Sequence, residues 1–575
     1  MPHVVTQSCC SDASCVYACP VNCIHPTPDA PDFLQAEMLY IDPEACVDCG
    51  ACAEACPVDA IVPHTKLQPQ FSDYEGINAE FYREPRSRTP LALIPISEVK
   101  SDPAANLRVA VVGSGPAALY AADELLKQRG VQVNLFEKLP TPHGLVRYGV
   151  APDHQSTKKV TKLFAQIADQ DNFEYYLGVE VGKDVSAAEL AQHHHAVVYA
   201  YGASGDRSVA IPGEDLPGSV AATEFVAWYN GHPEHANRTF DLSSERAVII
   251  GNGNVALDVA RILTTNPEEL AATDIARPAL AALRKSKIRE VVILGRRGVA
   301  QAAYTLPEFH GLIRKHNATL VIDKDELALD AETTRLRSEG ALDPQLERKL
   351  SLAEEVALHV PGTDRDRRIV FRYLTSPTGI LGDSHATGVS VVHNTLVTAD
   401  DGTVRAQPTA TSEVIETGLV LRSVGYRGKR LDGVPFDDER FVIPNEGGRV
   451  LGRPGGSPVP GQYTCGWIKR GPSGFIGTNK SCAKETVDNL IADFNAGLLP
   501  EPASAPREFQ RILRRRQPNV IDSDGWARID QAERARGEAA GAIRWKITDV
   551  AELVESARGA ETRGVSRFVQ RMARR

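Results

Sequence analysis

Basic side chains are almost missing from the first 66 residues of this 575-residue chain. Lys66 stands alone there against nine acids, Asp12, Asp29, Asp32, Glu37, Asp42, Glu44, Asp48, Glu54 and Asp59. The stretch therefore holds −8 of a formal net charge of −10, which argues against nucleic acid as a partner and for docking onto a basic surface. Cysteine is nearly absent from the rest: nine of eleven lie between Cys9 and Cys56, leaving only Cys465 and Cys482. No uninterrupted apolar stretch approaches the roughly 18 residues of a membrane span. Met1 to Ser14 has neither the basic start nor the apolar core of a signal peptide. The expectation is a cytoplasmic protein with no membrane span. In that reducing setting, so dense a set of thiols points to metal or cluster ligation rather than to disulfides.

The cysteines that are present follow a rule. Cys46-x₂-Cys49-x₂-Cys52-x₃-Cys56-Pro57 is the C-x₂-C-x₂-C-x₃-C-P run in which three thiolates wrap one iron–sulfur cluster and the fourth reaches a second cluster. Cys9-x₂-Asp12-x₂-Cys15-x₃-Cys19-Pro20 lies on the same template, with aspartate in the second ligand position. Exchanging the last ligand between halves assigns Cys19, Cys46, Cys49 and Cys52 to a 4Fe–4S cluster. Cys9, Cys15 and Cys56 are left for the other. Carboxylate is a harder and weaker ligand than thiolate, so that corner is expected to lose its iron and give 3Fe–4S, convertible to 4Fe–4S when Asp12 holds a fourth iron. Cys10 and Cys23 fall out of register and are read as non-ligands. The segment resembles the seven-iron bacterial-type ferredoxins.

A chain of this length allows about three or four domains. We place the ferredoxin-like module at residues 1–66 and a proline-rich linker, packed in part, at 67–104. Strand–glycine turn–helix patterns then open at Leu107 and again at Arg246, which divides the body into a first lobe (105–210 and 417–500) and a second (211–416). An Arg-rich helical extension follows at 501–575. Its basic tail (Arg558, Arg563, Arg567, Arg571, Arg574, Arg575) is expected to be a solvated terminus, and the run His193–His195 a surface turn before a strand.

Gly113-Ser-Gly115-Pro-Ala-Ala118 follows the strand V-A-V-V and opens a helix, the context in which a G-x-G-x-x-A turn cradles a pyrophosphate. The next strand ends at Glu137, whose carboxylate suits a ribose without a 2′-phosphate, as in FAD or NAD. The second lobe has Gly251-Asn-Gly253-Asn-Val-Ala256, but the corresponding strand ends at Arg296-Arg297, a guanidinium pair that suits the 2′-phosphate of NADP(H).

Four stretches then point to a family: Glu137–His154 (E-K-L-P-T-P-H-G-L-V-R-Y-G-V-A-P-D-H), G-N-G-N-V-A-L-D-V-A-R-I-L, G-R-R-G, and Gly466–Lys480 (G-W-I-K-R-G-P-S-G-F-I-G-T-N-K). Together they resemble the ferredoxin–NADP⁺ reductases of the adrenodoxin reductase type, from residue 107 to about 555, with a ferredoxin fused in front. The resemblance implies an α/β body of two Rossmann-like lobes, glutathione reductase-like, joined to an α+β ferredoxin. It implies FAD contacts at Gly113, Gly115, Ala117, Glu137, Leu145, Val181, Trp467 and Gly474–Phe475–Ile476. NADP contacts are implied at Asn252, Gly253, Asn254, Val255, Arg296, Arg297, Glu308 and Gly474, and an active-site role for His154. Gly311 departs from the pattern: some members carry a glutamate there, so a relay through that carboxylate is not expected.

The implied chemistry is hydride transfer between NADPH and FAD followed by one-electron transfers to the clusters, and from them to an external ferredoxin or other redox protein. It needs stacking and proximity rather than a nucleophile. The amides opening the helix after Gly474 would stabilise negative charge on the flavin, and Trp467 would shield its ring. The acidic module would dock on Lys158/Lys159/Lys162, Arg284/Lys285/Lys287/Arg289 or Lys469/Arg470, helped by the effective concentration of a tether. Two other readings remain open on sequence alone. One is an electron-donor subunit like the small subunit of glutamate synthase. The other is a redox-sensing binding protein without turnover.

Overall fold

A computed structural model of the chain describes residues 2–84, 86, 106–315, 318–359 and 367–559. The remaining residues, including most of the expected linker and the basic tail from residue 560, lie outside the described ones.

The front module is built twice over. Strands His3–Val5 and Ile61–Pro63 pair antiparallel, as do Ile24–His25 and Tyr40–Ile41. Each half contributes one five-residue helix, Ser14–Ala18 and Ala51–Ala55, ending on Cys19 and Cys56 with the same backbone angles. Left-handed residues recur in step: Ser11 with Asp48, Ala13 with Gly50, Asn22 with Asp59. Each pair is 37 residues apart, the offset that separates Asp12 from Cys49. The backbone duplication thus gives Asp12 and Cys49 equivalent places.

Helix Asp73–Glu80, inside the stretch expected to be linker, packs on this module by burying Tyr74, Ile77 and Asn78. Asn78 Oδ1 accepts the N–H groups of Val5 (3.2 Å) and Ile41 (2.9 Å), and its Nδ2 donates to Val5 O at 2.9 Å. One side chain thereby satisfies backbone groups at the edges of two strand pairs.

The first lobe is a seven-stranded sheet in the order Asn445–Glu446, Arg449–Leu451, Pro458–Thr464, Ala196–Tyr199, Leu107–Val112, Val131–Glu137, Phe173–Leu177. Its last five strands are parallel and their inner positions are fully buried, as an α/β sheet covered on both faces requires. The second lobe is a six-stranded parallel sheet, Ser219–Ala221, Leu419–Arg422, Arg246–Ile250, Glu290–Leu294, Arg368–Arg372, Thr319–Ile322, extended by an antiparallel meander over Thr375–Leu381, Gly388–Thr398 and Val404–Glu416. Strand Leu419–Arg422 pairs parallel to both Ser219–Ala221 and Arg246–Ile250, so the second lobe runs past the boundary expected at 416. The chain passes between lobes twice, and the two crossings pair as the short ladder Gly205–Asp206 with Tyr426–Arg427.

The C-terminal block is welded to the first lobe. Phe509 and Leu513 of helix Pro506–Arg516 pack with Phe136 and Tyr176 of that lobe, and Leu177 exchanges backbone hydrogen bonds with Ile521. Glu533, from helix Ser523–Ala539, is fully buried and takes a bidentate contact from Arg147 (2.6 and 2.9 Å). Asp274 of the second lobe binds Lys158 (2.7 Å) and Lys546 (3.0 Å). The His193–His195 run is not a surface turn. His194 and His195 are buried, His194 between Leu190 O and Asn134. The Nδ1 of His195 accepts from Arg108 N at 2.9 Å, so the run holds one helix end against strand Leu107–Val112.

Candidate functional site

In the first lobe, Gly113 has φ +106° and its α-carbon lies so close to the Ala200–Tyr201 backbone that no Cβ would fit. Gly115 faces open space, with Gly144 packed against its α-carbon. Helix Pro116–Leu126 starts there, and Ala117 in its first turn touches Gly466, where again no Cβ fits. Glu137 closes its strand beside this turn. Its carboxylate accepts from Ser114 N (3.1 Å), Ser114 Oγ (2.6 Å) and Leu139 N (3.0 Å). Burial pushes it above the usual carboxylate range despite those donors. Leu145 remains 38% exposed beside the turn, and Val181 is buried. Trp467 hydrogen-bonds Ser473 O at 3.0 Å and sits 5.4 Å from the Tyr426 ring. Open backbone at Gly115, a carboxylate at the strand end and an exposed apolar side chain fit a dinucleotide without a 2′-phosphate.

In the second lobe Gly251 has φ +108° and abuts Ser423 O. Asn252 and Asn254 accept backbone N–H groups from Ala303 (3.5 Å) and Thr305 (2.8 Å), which ties the glycine turn to the chain leading into helix Leu306–Lys315. Val255 packs into the lobe's core. Arg296 is exposed and Arg297 half-buried, and neither has an acidic partner within 4 Å among the described residues. Burial and its neighbour Arg296 push Arg297 below the usual range. Two adjacent guanidinium groups with no carboxylate between them fit a phosphate monoester.

His154 of the first lobe meets Glu308 of the second, Nε2 to Oε2 3.9 Å. Asp258 joins them, all three offering ligand atoms within 4.8 Å of one another. Behind them Arg261 binds Asp153 through two nitrogens (2.5 and 3.0 Å) and Asp258 at 2.7 Å. Burial works against the Asp153 carboxylate, but Arg261 with His154 holds it well below its ordinary range.

The cysteines fall into two groups. Cys19, Cys46, Cys49 and Cys52 line one small pocket, which Cys23 also reaches. Cys23 Sγ lies 3.4 Å from Cys19 Sγ. Hydrogen bonding from Cys23 holds the Cys19 thiol down at about 6, while the same contact and burial push Cys23 up. The Cys23 N–H also donates to Cys19 Sγ at 3.4 Å. Cys9, Cys15 and Cys56 form the second group with Asp12. Burial raises Cys9 to about 11, and the neighbouring Cys56 and Asp12 charges add to it. Three close thiols that destabilise one another's negative charge suit a cationic cluster. Cys10 is buried beside this second group, where burial and then the charges of Asp12, Cys9 and Cys56 push its thiol up, and its carbonyl points to another partner.

That carbonyl accepts Gly477 N–H at 2.7 Å, so the Cys9–Cys15 loop rests on the segment Gly474–Gly477. Ile476 shares an apolar cluster with Cys9, Cys10 and Cys56. Around this seat carboxylates of the acidic module and of the helix packed on it meet both lobes: Asp59 pairs with Lys159 (2.8 Å), Asp12 with Lys480 (3.6 Å), and Asp73 with Arg314 (3.1 Å) and Arg348 (3.6 Å), while the His310 ring hydrogen-bonds Asp73 at 2.9 Å. Glu37 caps helix Leu306–Lys315 by accepting Leu306 N–H at 2.5 Å. Gln7 donates to Glu308 at 3.4 Å and fills the space a side chain at Gly311 would need. Of the expected patches, Lys159 is the member that forms an ion pair with the module among the described residues. Lys158 is buried on Asp274, Arg284 pairs with Glu268 (2.8 Å) and Lys469 with Glu485 (2.5 Å). Gln7, Glu37, Asp73, Gly477 and the Lys480 pairing carry no spacing signal that sequence reasoning could use.

This constellation defines a pyridine nucleotide oxidoreductase body with an iron–sulfur module seated across its lobes. The family described as "Pyridine nucleotide-disulphide oxidoreductase" matches residues 107–300, and the "4Fe-4S binding domain" family matches residues 39–62. The "Probable ferredoxin/ferredoxin--NADP reductase" of Mycobacterium tuberculosis H37Rv is 52% identical over 588 residues, covering 99% of this chain and 97% of that protein. The "NADPH-ferredoxin reductase FprA" of Mycobacterium leprae is 43% identical, covering 78% of this chain and 98% of the relative. The solved structure of Mycobacterium tuberculosis FprA in complex with NADPH superposes with a TM-score of 0.73 at 43% identity, covering 79% of this chain and all of that one. The chain belongs to the ferredoxin/ferredoxin–NADP reductase family.

Proposed function

We propose that this protein is an NADPH-dependent flavoprotein oxidoreductase that passes electrons to its own ferredoxin module and from there to an external redox protein in the cytoplasm. FAD, when bound, supplies the conversion between the electron pair of a hydride and the single electrons that clusters accept. The observation that carries this reading is the Gly477 N–H to Cys10 O hydrogen bond, which joins the segment expected to face the flavin to a loop of cluster ligands.

The residues divide the work. Gly113, Gly115 and Ala117 admit a pyrophosphate at a helix N-terminus, and Glu137 is placed for a ribose. Leu145, Val181, Trp467 and Gly474–Ile476 would supply further FAD contacts, Trp467 shielding the ring. Asn252–Val255, Arg296, Arg297 and Glu308 hold NADP(H), with Gly474 at the contact between ligands. His154 faces Glu308 across the lobes and is placed to hold a proton near the reacting ring. Cys19, Cys46, Cys49 and Cys52 hold a 4Fe–4S cluster. Cys9, Cys15 and Cys56 hold a 3Fe–4S cluster that takes a fourth iron through Asp12.

Anaerobic NADPH addition followed by freeze-quench EPR tests the reading. Cluster signals should change within the turnover time, and both ferricyanide and cytochrome c should be reduced steadily. A flavin that bleaches while the clusters stay oxidised would sink it, and absence of any turnover would favour a redox-sensing role.

A further inference from the structure

The loop that bears Asp12 is the one the reductase body grips. A Cβ on Gly477 would run into the Asp12 backbone and Cys10 O, so only glycine lets these two segments of the chain meet there. Asp12 is 6% exposed. Its carboxylate accepts from Ser14 N at 3.2 Å and from the Ser14 hydroxyl at 2.5 Å. Lys480, in the first turn of helix Thr478–Asn495, donates to the same Ser14 Oγ at 2.8 Å and stands 3.6 Å from the Asp12 carboxylate. The residue in the register position of Cys49 is therefore already engaged, by a neighbour in its own loop and by a cation from the other end of the chain.

We propose that Lys480 and Ser14 lock Asp12 away from the fourth iron, so that seating of the ferredoxin module and filling of that corner oppose each other. The proposal rests on the reading of Cys9, Cys15 and Cys56 as ligands of a three-iron cluster. For Asp12 to ligate, one carboxylate oxygen must form an Fe–O bond and give up its contacts with Ser14 and Lys480. Added iron would also leave the Lys480 ammonium beside a cation instead of a carboxylate, in a partly dry contact where an unpaired charge is costly. The step balances: one Fe²⁺ joins the reduced, neutral 3Fe–4S core and yields a 4Fe–4S core of charge 2+, with no electron gained or lost. Linkage makes the effect mutual, so a filled corner weakens the seat by the factor by which the seat weakens iron binding. Abundant ferrous iron would then loosen the module from its electron source.

The test titrates the anaerobically reduced full-length protein with Fe²⁺ and reads the three-iron EPR signal remaining after brief reoxidation. Lys480→Gln and Ser14→Ala should each reach half-conversion at about tenfold lower Fe²⁺ than the parent, inside the usual range for coupled sites. FAD content and iron as purified should match the parent. In the parent, hydrogen exchange around Gly477 should accelerate on iron loading. Unshifted half-conversion in both variants, or unchanged exchange at Gly477 on loading, overturns the lock. A parent with no three-iron signal in any state overturns the ligand reading beneath it, a separate outcome. Ser14→Ala leaves the reductase helix untouched, so the test survives if Lys480→Gln lowers the FAD content.

Discussion

Asp12 shows how much one side chain decides. The duplicated backbone, with left-handed residues in step at 37-residue spacing, puts it where the second half has Cys49. Asp12→Cys should abolish the three-iron signal and raise iron by about one atom per chain, because thiolate holds iron more firmly than carboxylate. Iron analysis with EPR checks this, and an unchanged count would mean the register is wrong. On the proposed reading Arg296 and Arg297 choose between dinucleotides by binding a 2′-phosphate. Replacing both with Ala should raise the KM for NADPH roughly 10- to 100-fold, the worth of one or two charge-assisted hydrogen bonds, and leave that for NADH nearly unchanged. Equal losses with both nucleotides would assign the pair a merely structural role.

At the scale of elements, the sequence was most informative where a motif and its partner are near neighbours. Each glycine turn, the strand before it and the helix after it lie within about 20 residues, so period and turn chemistry suffice to place them. The cysteine runs Cys9–Cys19 and Cys46–Cys56 are local in the same sense. Helix Asp73–Glu80 escaped because proline density hid a short helix whose buried Tyr74, Ile77 and Asn78 answer to strands far earlier in the chain. The contacts of Gln7 with Glu308 and of Lys480 with Ser14 span 301 and 466 residues, and only tertiary structure creates them. The C-terminal helices teach the same lesson: an Arg-rich extension proves to deliver Glu533 into the core.

Glu533 serves as the test of that weld. Burial pushes its carboxyl up, but Arg147 and Arg544 together hold it below the usual range. Glu533→Gln should cost about 3–5 kcal/mol, since it leaves a buried guanidinium without its charge partner. The sign follows from the lowered folded value. The contribution is complete above the unfolded glutamate value near 4.3 and is lost as pH falls through the folded one. Thermal melts should therefore separate parent and variant widely at neutral pH and converge as pH falls below the unfolded value near 4.3 and through the folded one. A constant separation would exclude charge as the cause.

Over the whole molecule, the ferredoxin module bridges the lobes. It meets Lys480 and Lys159 on one side and His310, Arg314 and Arg348 on the other. Cleavage at an engineered site near residue 90, which lies outside the described residues, should leave NADPH-to-ferricyanide turnover intact. NADPH-to-cytochrome flow should fall at micromolar protein as the tether's effective concentration is lost. What flow remains should decline further with salt, because the seat is held by partly exposed ion pairs. Undiminished cytochrome reduction after cleavage would show that the tether is dispensable.

Gly311 has a consequence for the two halves as interchangeable parts. Gln7 occupies the room that any side chain at position 311 would claim. A reductase body with a larger residue there would have to turn the flexible end of Gln7 aside, and with it the contact to Glu308. This body, given a foreign ferredoxin without Gln7, would be left with a hollow beside Glu308. Swapping one half alone would thus change the surroundings of Glu308 where it meets His154, so part of the fit between the modules lies between the two lobes.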